Sequence, residues 1–131
     1  MFIPEGFGTV TPYFFVSEAE KFVEFLISGL GGTDRGRTLR PDGRIANAQI
    51  RLGTSTVMVS EASEAFPAMP ASYYLYVEDA DASVERAVKA GAELIMPVSD
   101  MPYEDRQGGV RDASGNIWWI SQRLVDRPYD A

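Results

Sequence analysis

The stretch DRQGGVRDASGNIWWISQ, residues 105–122, decides the fold. Asp112-Ala113-Ser114-Gly115 reads as a tight turn, because aspartate bonds its own backbone two residues on and glycine takes the positive φ that closes such turns. The runs on either side are rich in β-formers, so the unit is a β-hairpin. Strand alternation sends Trp118 and Ile120 to one face and Trp119 and Ser121 to the other. One tryptophan therefore serves a core, while the second faces a different space.

Working outward, residues 9–16 read as a strand with Thr11, Tyr13 and Phe15 on one face and Val10, Phe14 and Val16 on the other. Ser17-Glu18-Ala19-Glu20 has capping-box spacing and predicts a helix start. Ala19, Phe22, Val23, Leu26 and Leu30 form its apolar stripe, and Gly29, Gly31 and Gly32 end it. These glycines follow a helix rather than a strand, so they do not make a phosphate loop. Strands are expected over 33–39, 45–52 and 56–60, with Asn47, Gln49, Met58 and Ser60 facing away from Ala48, Ile50, Val57 and Val59. Residues 61–70 read as a loop. A strand over 72–77 and a helix opening at Glu78 or Asp79 and ending at Gly91 come next. Strands follow over 93–98, 105–111 and 116–122, and the tail beyond Arg123 reads as unpacked.

The order strand, helix, three strands thus occurs twice. An offset of 61 lays residues 11–16 on 72–77 and residues 57–60 on 118–121. The expected architecture is α+β. Two βαβββ modules, about 9–61 and 71–122, form a single domain over 1–131 and a cleft-bearing mixed sheet. Each sheet gives one face to its helix and keeps the other for the cleft.

Composition narrows the chemistry. The 131 residues are 45% hydrophobic and 24% charged, the balance of a globular protein. There is no histidine and no cysteine, which excludes disulfides, thiolate catalysis and the Ser-His-Asp and Cys-His arrangements. It also removes the usual donors of zinc, copper and non-haem iron. The net charge of −7 speaks against nucleic acid and is compatible with a cationic ligand. The first eight residues lack a secretion-signal pattern, and no apolar run approaches a membrane span, so a cytoplasmic protein with no membrane partner is expected.

Val10 to Val16 (VTPYFFV), Pro41 to Ile45 (PDGRI), Leu75 to Asp81 (LYVEDAD), Ala90-Gly91-Ala92 and the run from Asp105 to Trp118 resemble the vicinal oxygen chelate superfamily. The resemblance is strongest to its small glyoxalase/bleomycin-resistance-like members. It implies a homodimer and a metal site with one ligand on the first and one on the fourth strand of each module. Those positions here are Thr11, Met58, Ser72 and Trp119, none a usual ligand of a divalent ion. The expectation is no metal and no cofactor. Strand parity places Tyr13, Phe15, Asn47, Gln49, Met58, Tyr74, Tyr76 and Trp119 on the cleft side, an apolar and aromatic wall with a few amides and hydroxyls. The same pattern also fits a filled core. The reading is a metal-free protein binding a small aromatic or cationic compound. The alternatives are a metal-independent isomerase or lyase working through Glu104 or Asp105 with the tyrosines, or a non-catalytic scaffold. Glu104, Asp105 and Arg106 themselves read first as a solvated surface trio. Lys21 and Lys89 fall on helices away from the cleft, against Schiff-base chemistry.

Overall fold

Alternating apolar residues and two short amphipathic helices build the same unit twice. The computed structural model describes residues 1–130. In the first unit β1 is Tyr13–Val16, α1 Ala19–Ser28, β2 Thr33–Leu39, β3 Ile45–Leu52 and β4 Ser55–Glu61. In the second, β5 is Ser72–Tyr76, α2 Ala80–Lys89, β6 Glu93–Asp100, β7 Asp105–Arg111 and β8 Ile117–Arg123. The strand orders are β1-β4-β3-β2 and β5-β8-β7-β6. In each sheet the first strand runs parallel to the fourth, and the other pairings are antiparallel. The fold is thus α+β with two βαβββ modules, and the chain divides between Pro70 and Ala71 into two compact units. Among the described residues no helix is long and apolar enough to cross a membrane.

The 61-residue offset holds at the level of register. Tyr13 pairs with Met58 as Tyr74 pairs with Trp119, and Phe15 pairs with Ser60 as Tyr76 pairs with Ser121. In the first unit Phe14, Val16, Ala48, Ile50, Val57 and Val59 are buried beneath α1, whose Ala19, Phe22, Val23 and Leu26 are buried in turn. In the second, Val110, Trp118 and Ile120 meet Ala80, Val84 and Ala87 of α2. Burial of such side chains contributes roughly 1.5–3 kcal/mol for each large one.

The glycine pair in the hairpin serves both faces of its sheet. A methyl group on Gly108 would stand 2.9 Å from Val84 Cγ2 of α2 and 2.8 Å from Val98 Cγ2. On the opposite face, one on Gly109 would stand 2.7 Å from Trp119 Cζ3. The first absence of a side chain lets the helix close on the sheet. The second lets an indole lie flat on the neighbouring strand.

The hairpin turn forms as expected. Asp112 Oδ1 accepts from Ser114 N at 2.9 Å and Asn116 N at 3.0 Å, and Gly115 takes φ 90°. Asp112 also does something the turn pattern does not announce: its Oδ2 accepts from the buried Trp118 indole at 2.8 Å. One carboxylate ties the turn to the core.

Four expectations change. The strand predicted over 9–16 begins only at Tyr13; Pro12 has no N–H to give, although its carbonyl still accepts from Met58 N. The capping box at Ser17 does not form. Glu18 sits at the N-cap with φ 57° and its side chain caps nothing. Instead the Glu61 carboxylate, at the end of β4, accepts from Glu18 N and Ala19 N at 3.0 Å each. The left-handed turn at Glu18 moves the helix start past Ser17, and a strand end then reaches the first free amides. At α2, Asp79 caps Ala82 N, and Gln122 Oε1 accepts from Ala80 N at 3.0 Å, the same device 61 residues on. β6 runs to Asp100, two residues further than predicted; it lies at the sheet edge and shifts register around Pro97, where a missing N–H is tolerated. Finally, the tail after Arg123 is packed, as described below.

Two stability outcomes follow. Asp112→Ala removes two turn bonds and the buried acceptor of Trp118, and is expected to cost about 2–4 kcal/mol in urea denaturation. Glu61→Ala is expected to cost about 1 kcal/mol by the same measurement. Glu61→Gln should lose only a fraction of that, because Gln122 does the same work at α2.

Candidate functional site

On the first sheet, the face turned away from α1 carries Tyr13, Phe15, Asn47, Gln49 and Met58 at alternate positions of β1, β3 and β4. All five keep part of their surface exposed. Tyr13 and Phe15 stack with centroids 4.9 Å apart and planes 21° apart. Phe15 stacks in turn on Phe66 at 5.6 Å and 16°. Phe66 comes from the segment predicted as a loop, which is held to β1 by Met69 N donating to Phe15 O at 3.0 Å. Tyr13 is 43% exposed and Phe66 62%. Beneath the rings the polar groups are satisfied: the Tyr13 hydroxyl bonds Ser60 Oγ at 2.6 Å, and Ser60 donates to Ala46 O at 2.6 Å.

On the second sheet, the corresponding face carries Tyr74, Tyr76 and Trp119, also partly exposed. Gln107 Nε2 donates to Ser121 Oγ at 2.7 Å, with Tyr103 donating to the Gln107 carbonyl. Ser121 stands 61 residues after Ser60, so each sheet has a buried serine under its aromatic side chains. The two differ at Asp105. This residue is fully buried and accepts from Tyr74 at 2.8 Å, from Tyr129 at 2.6 Å and from Arg123 at 3.1 Å. Burial alone raises a carboxyl pKa. Here the hydrogen bonds from Tyr129, Tyr74 and Arg123, with the guanidinium charge, outweigh it and hold Asp105 below the usual value. Its partners move the other way: burial and the bond to Asp105 push the Tyr74 phenol up to about 12, and raise Tyr129 as well. At neutral pH the cluster is a carboxylate ringed by neutral phenols.

Tyr129 belongs to the tail predicted as unpacked. The tail folds back because Arg123 reaches it, donating to Arg127 O at 2.8 Å and Pro128 O at 3.1 Å. The Arg123 guanidinium lies 4.1 Å from the Tyr129 ring centroid, and Arg127 pairs with Glu104. Between the tail and the strand ends is an open pocket of about 270 Å³, walled by Arg127, Pro128 and Asp130 on one side and Tyr103, Glu104 and Arg123 on the other. The trio 104–106 is therefore not one solvated group. Glu104 pairs with the tail and Asp105 is buried on the helix-free face. Arg106 turns to the helix side to bond Asp81 at 2.7 Å and Asp100 at 2.9 Å.

The positions implied for a metal do not fit one. Thr11 and Ser72 offer alcohols, Met58 a thioether and Trp119 an indole, and a divalent ion needs ionised or imidazole donors. Among the described residues no three carboxylates gather as a ligand set.

Asp105, Arg123 and Tyr129 form a cluster that the sequence did not reveal: it offers Asp105 only as an alternative base, read first as solvated, and singles out neither Arg123 nor Tyr129. One signal was present for the first two. Asp105 and Arg123 stand equally far from the centre of the hairpin turn, so pairing them across β7 and β8 follows from the turn itself. Nothing in the sequence announced Tyr129.

An uncharacterized protein of Mycobacterium bovis is 27% identical, matching 86% of this chain and 82% of its own. The crystal structure of TioX from Micromonospora sp. ML1 is 24% identical with a TM-score of 0.72, covering 92% of this chain and all of that one. TnmS3, an antibiotic binding protein from Streptomyces sp. CB03234, is 20% identical with a TM-score of 0.72, covering 94% and 98%. The two structures speak to fold. The family model described as Glyoxalase/Bleomycin resistance protein/Dioxygenase superfamily matches residues 6–120, from before β1 into β8. Since that match takes in both βαβββ modules, the chain belongs to this superfamily.

Proposed function

We propose that this protein is a metal-free binding protein of the bleomycin-resistance type, holding a planar aromatic or cationic compound against its helix-free sheet faces. The observation that carries this reading is the run of rings Tyr13, Phe15 and Phe66, nearly parallel and exposed at both ends. A filled core would bury such rings. Exposed faces stack on planar groups and attract cations, each contact contributing about 1 kcal/mol. The net charge of −7 raises the local concentration of a cation further. TnmS3, which shares the fold, is described as an antibiotic binding protein, a task of the same kind.

Catalysis by Asp105 has less support. A general base needs reach to the proton it takes and a pKa near the working pH. Asp105 has its pKa lowered and three donors in place. Among the described residues no buried polar side-chain atom lacks a partner, so recognition falls to ring faces and to the rim amides of Asn47 and Gln49.

Calorimetric titration with ethidium, a planar cation, tests the reading. Binding is expected, weakened roughly fivefold by each of Tyr13→Ala, Phe15→Ala and Met58→Ala. A panel of planar cations and neutral aromatics that shows no binding at millimolar concentration, or binding indifferent to all three substitutions, would sink it. Elemental analysis of the purified protein is expected to find no stoichiometric transition metal. A full equivalent lost on changing Met58 and Trp119 would overturn the metal-free part.

A further inference from the structure

We infer that Tyr129 occupies, from the chain's own tail, the seat of a phenolic ligand on the second sheet, and that such a ligand binds by displacing it. The inference rests on the reading of the helix-free faces as ligand surfaces and names a ligand class for one of them.

The seat is defined by three contacts. The Tyr129 hydroxyl donates to Asp105 Oδ2 at 2.6 Å and accepts from the Tyr76 hydroxyl at 2.8 Å, while its ring lies against the Arg123 guanidinium. Each contact asks for a specific chemistry. Asp105 Oδ2 asks for a donor, since a buried carboxylate robbed of one is costly. Tyr76 asks for an acceptor on that same atom. Arg123 asks for an electron-rich ring and repels a cation. A hydroxyl on an aromatic ring meets all three; an aromatic cation fails the third and an aryl ether the first. The cationic option thus belongs to the first sheet, and the second takes a phenol.

Tyr129 is 41% exposed, and among the described residues its tail has no strand or helix of its own. It is joined to the end of β8 by a short tether that Arg123 pins at Arg127 and Pro128, and for short tethers effective concentrations are at least on the order of millimolar. A free phenol making the same contacts competes at about that concentration, and a larger one that also covers Tyr74 and Trp119 competes below it. The closed tail lowers apparent affinity by the fraction of molecules that are open. Because Arg127, Pro128 and Asp130 wall the 270 Å³ pocket beside the seat, release of the tail enlarges the site.

The test uses 4-methylphenol, the free form of the tyrosine side chain, with 4-methylanisole as the partner lacking the O–H. In the unaltered protein 4-methylphenol is expected to loosen the backbone amides of Tyr129 and Asp130, read by 15N relaxation, and 4-methylanisole is not. Tyr129→Ala is expected to bind 4-methylphenol roughly tenfold more tightly than the unaltered protein. Tyr129→Phe, which keeps the ring, is expected to fall between, and circular dichroism checks that both variants fold. Tail amides that stay ordered at saturating 4-methylphenol, equal binding of 4-methylanisole, or equal affinity with and without the Tyr129 side chain would each overturn the inference. If ethidium still binds through Tyr13 and Phe15 in that case, only the phenol seat is lost. If ethidium binding is absent too, the general reading falls with it.

Discussion

A single helix of ten residues lies on each four-stranded sheet, and the pleat does the rest. Because successive side chains point to opposite faces, covering one face fixes what the other must carry. Phe14 and Val16 go under α1, so Tyr13 and Phe15 cannot. Trp118 and Ile120 go under α2, so Trp119 and Ser121 cannot. The second face is then finished without a helix, by rings lying over a layer of satisfied polar groups. Gly108 and Gly109 show how tight the two demands are, since adjacent residues give up their side chains to opposite faces.

The two modules share a backbone plan and diverge in what fills that second face. In the first, Tyr13 finds Ser60 and the rings continue into Phe66, giving a largely apolar strip. In the second, Tyr74 finds Asp105, and the buried charge gathers Arg123 and Tyr129 around it. A carboxylate so placed is tolerated only when paired and hydrogen-bonded, which is why the tail does not hang free. The repeat thus presents two sheet faces of one strand plan and different polarity.

Local signals were strong enough to reveal the elements. Alternation in β3, β4 and β8, the stripe of α1, the Asp112 turn and the 61-residue offset each depend on residues close in sequence or on comparison of two halves. The cap of α1 depends on Glu61, more than forty residues away, and the local pattern at Ser17 pointed elsewhere. The eight residues read onto the helix-free faces from parity all keep exposed surface there. The burial of Asp105 escaped because charge in a polar run normally means solvent, and only its strand partner and the tail make it otherwise. Tail docking rests on Arg123 meeting backbone carbonyls, an interaction with no sequence signature.

The matched caps at Glu61 and Gln122 bear on how the sheets find their alignment. A strand that slips by one residue turns its apolar side chains to the wrong face, and the pleat rejects it. A slip by two keeps every side chain on its proper face, so hydrophobic patterning is blind to it. The caps are not. Such a slip of β4 along β1 would carry Glu61 about 6.6 Å from the first amides of α1, leaving them bare. Gln122 stands in the same relation to α2 and β8. Each parallel pairing, the one least helped by a local turn, thus carries a polar marker at its end that recognises a single alignment.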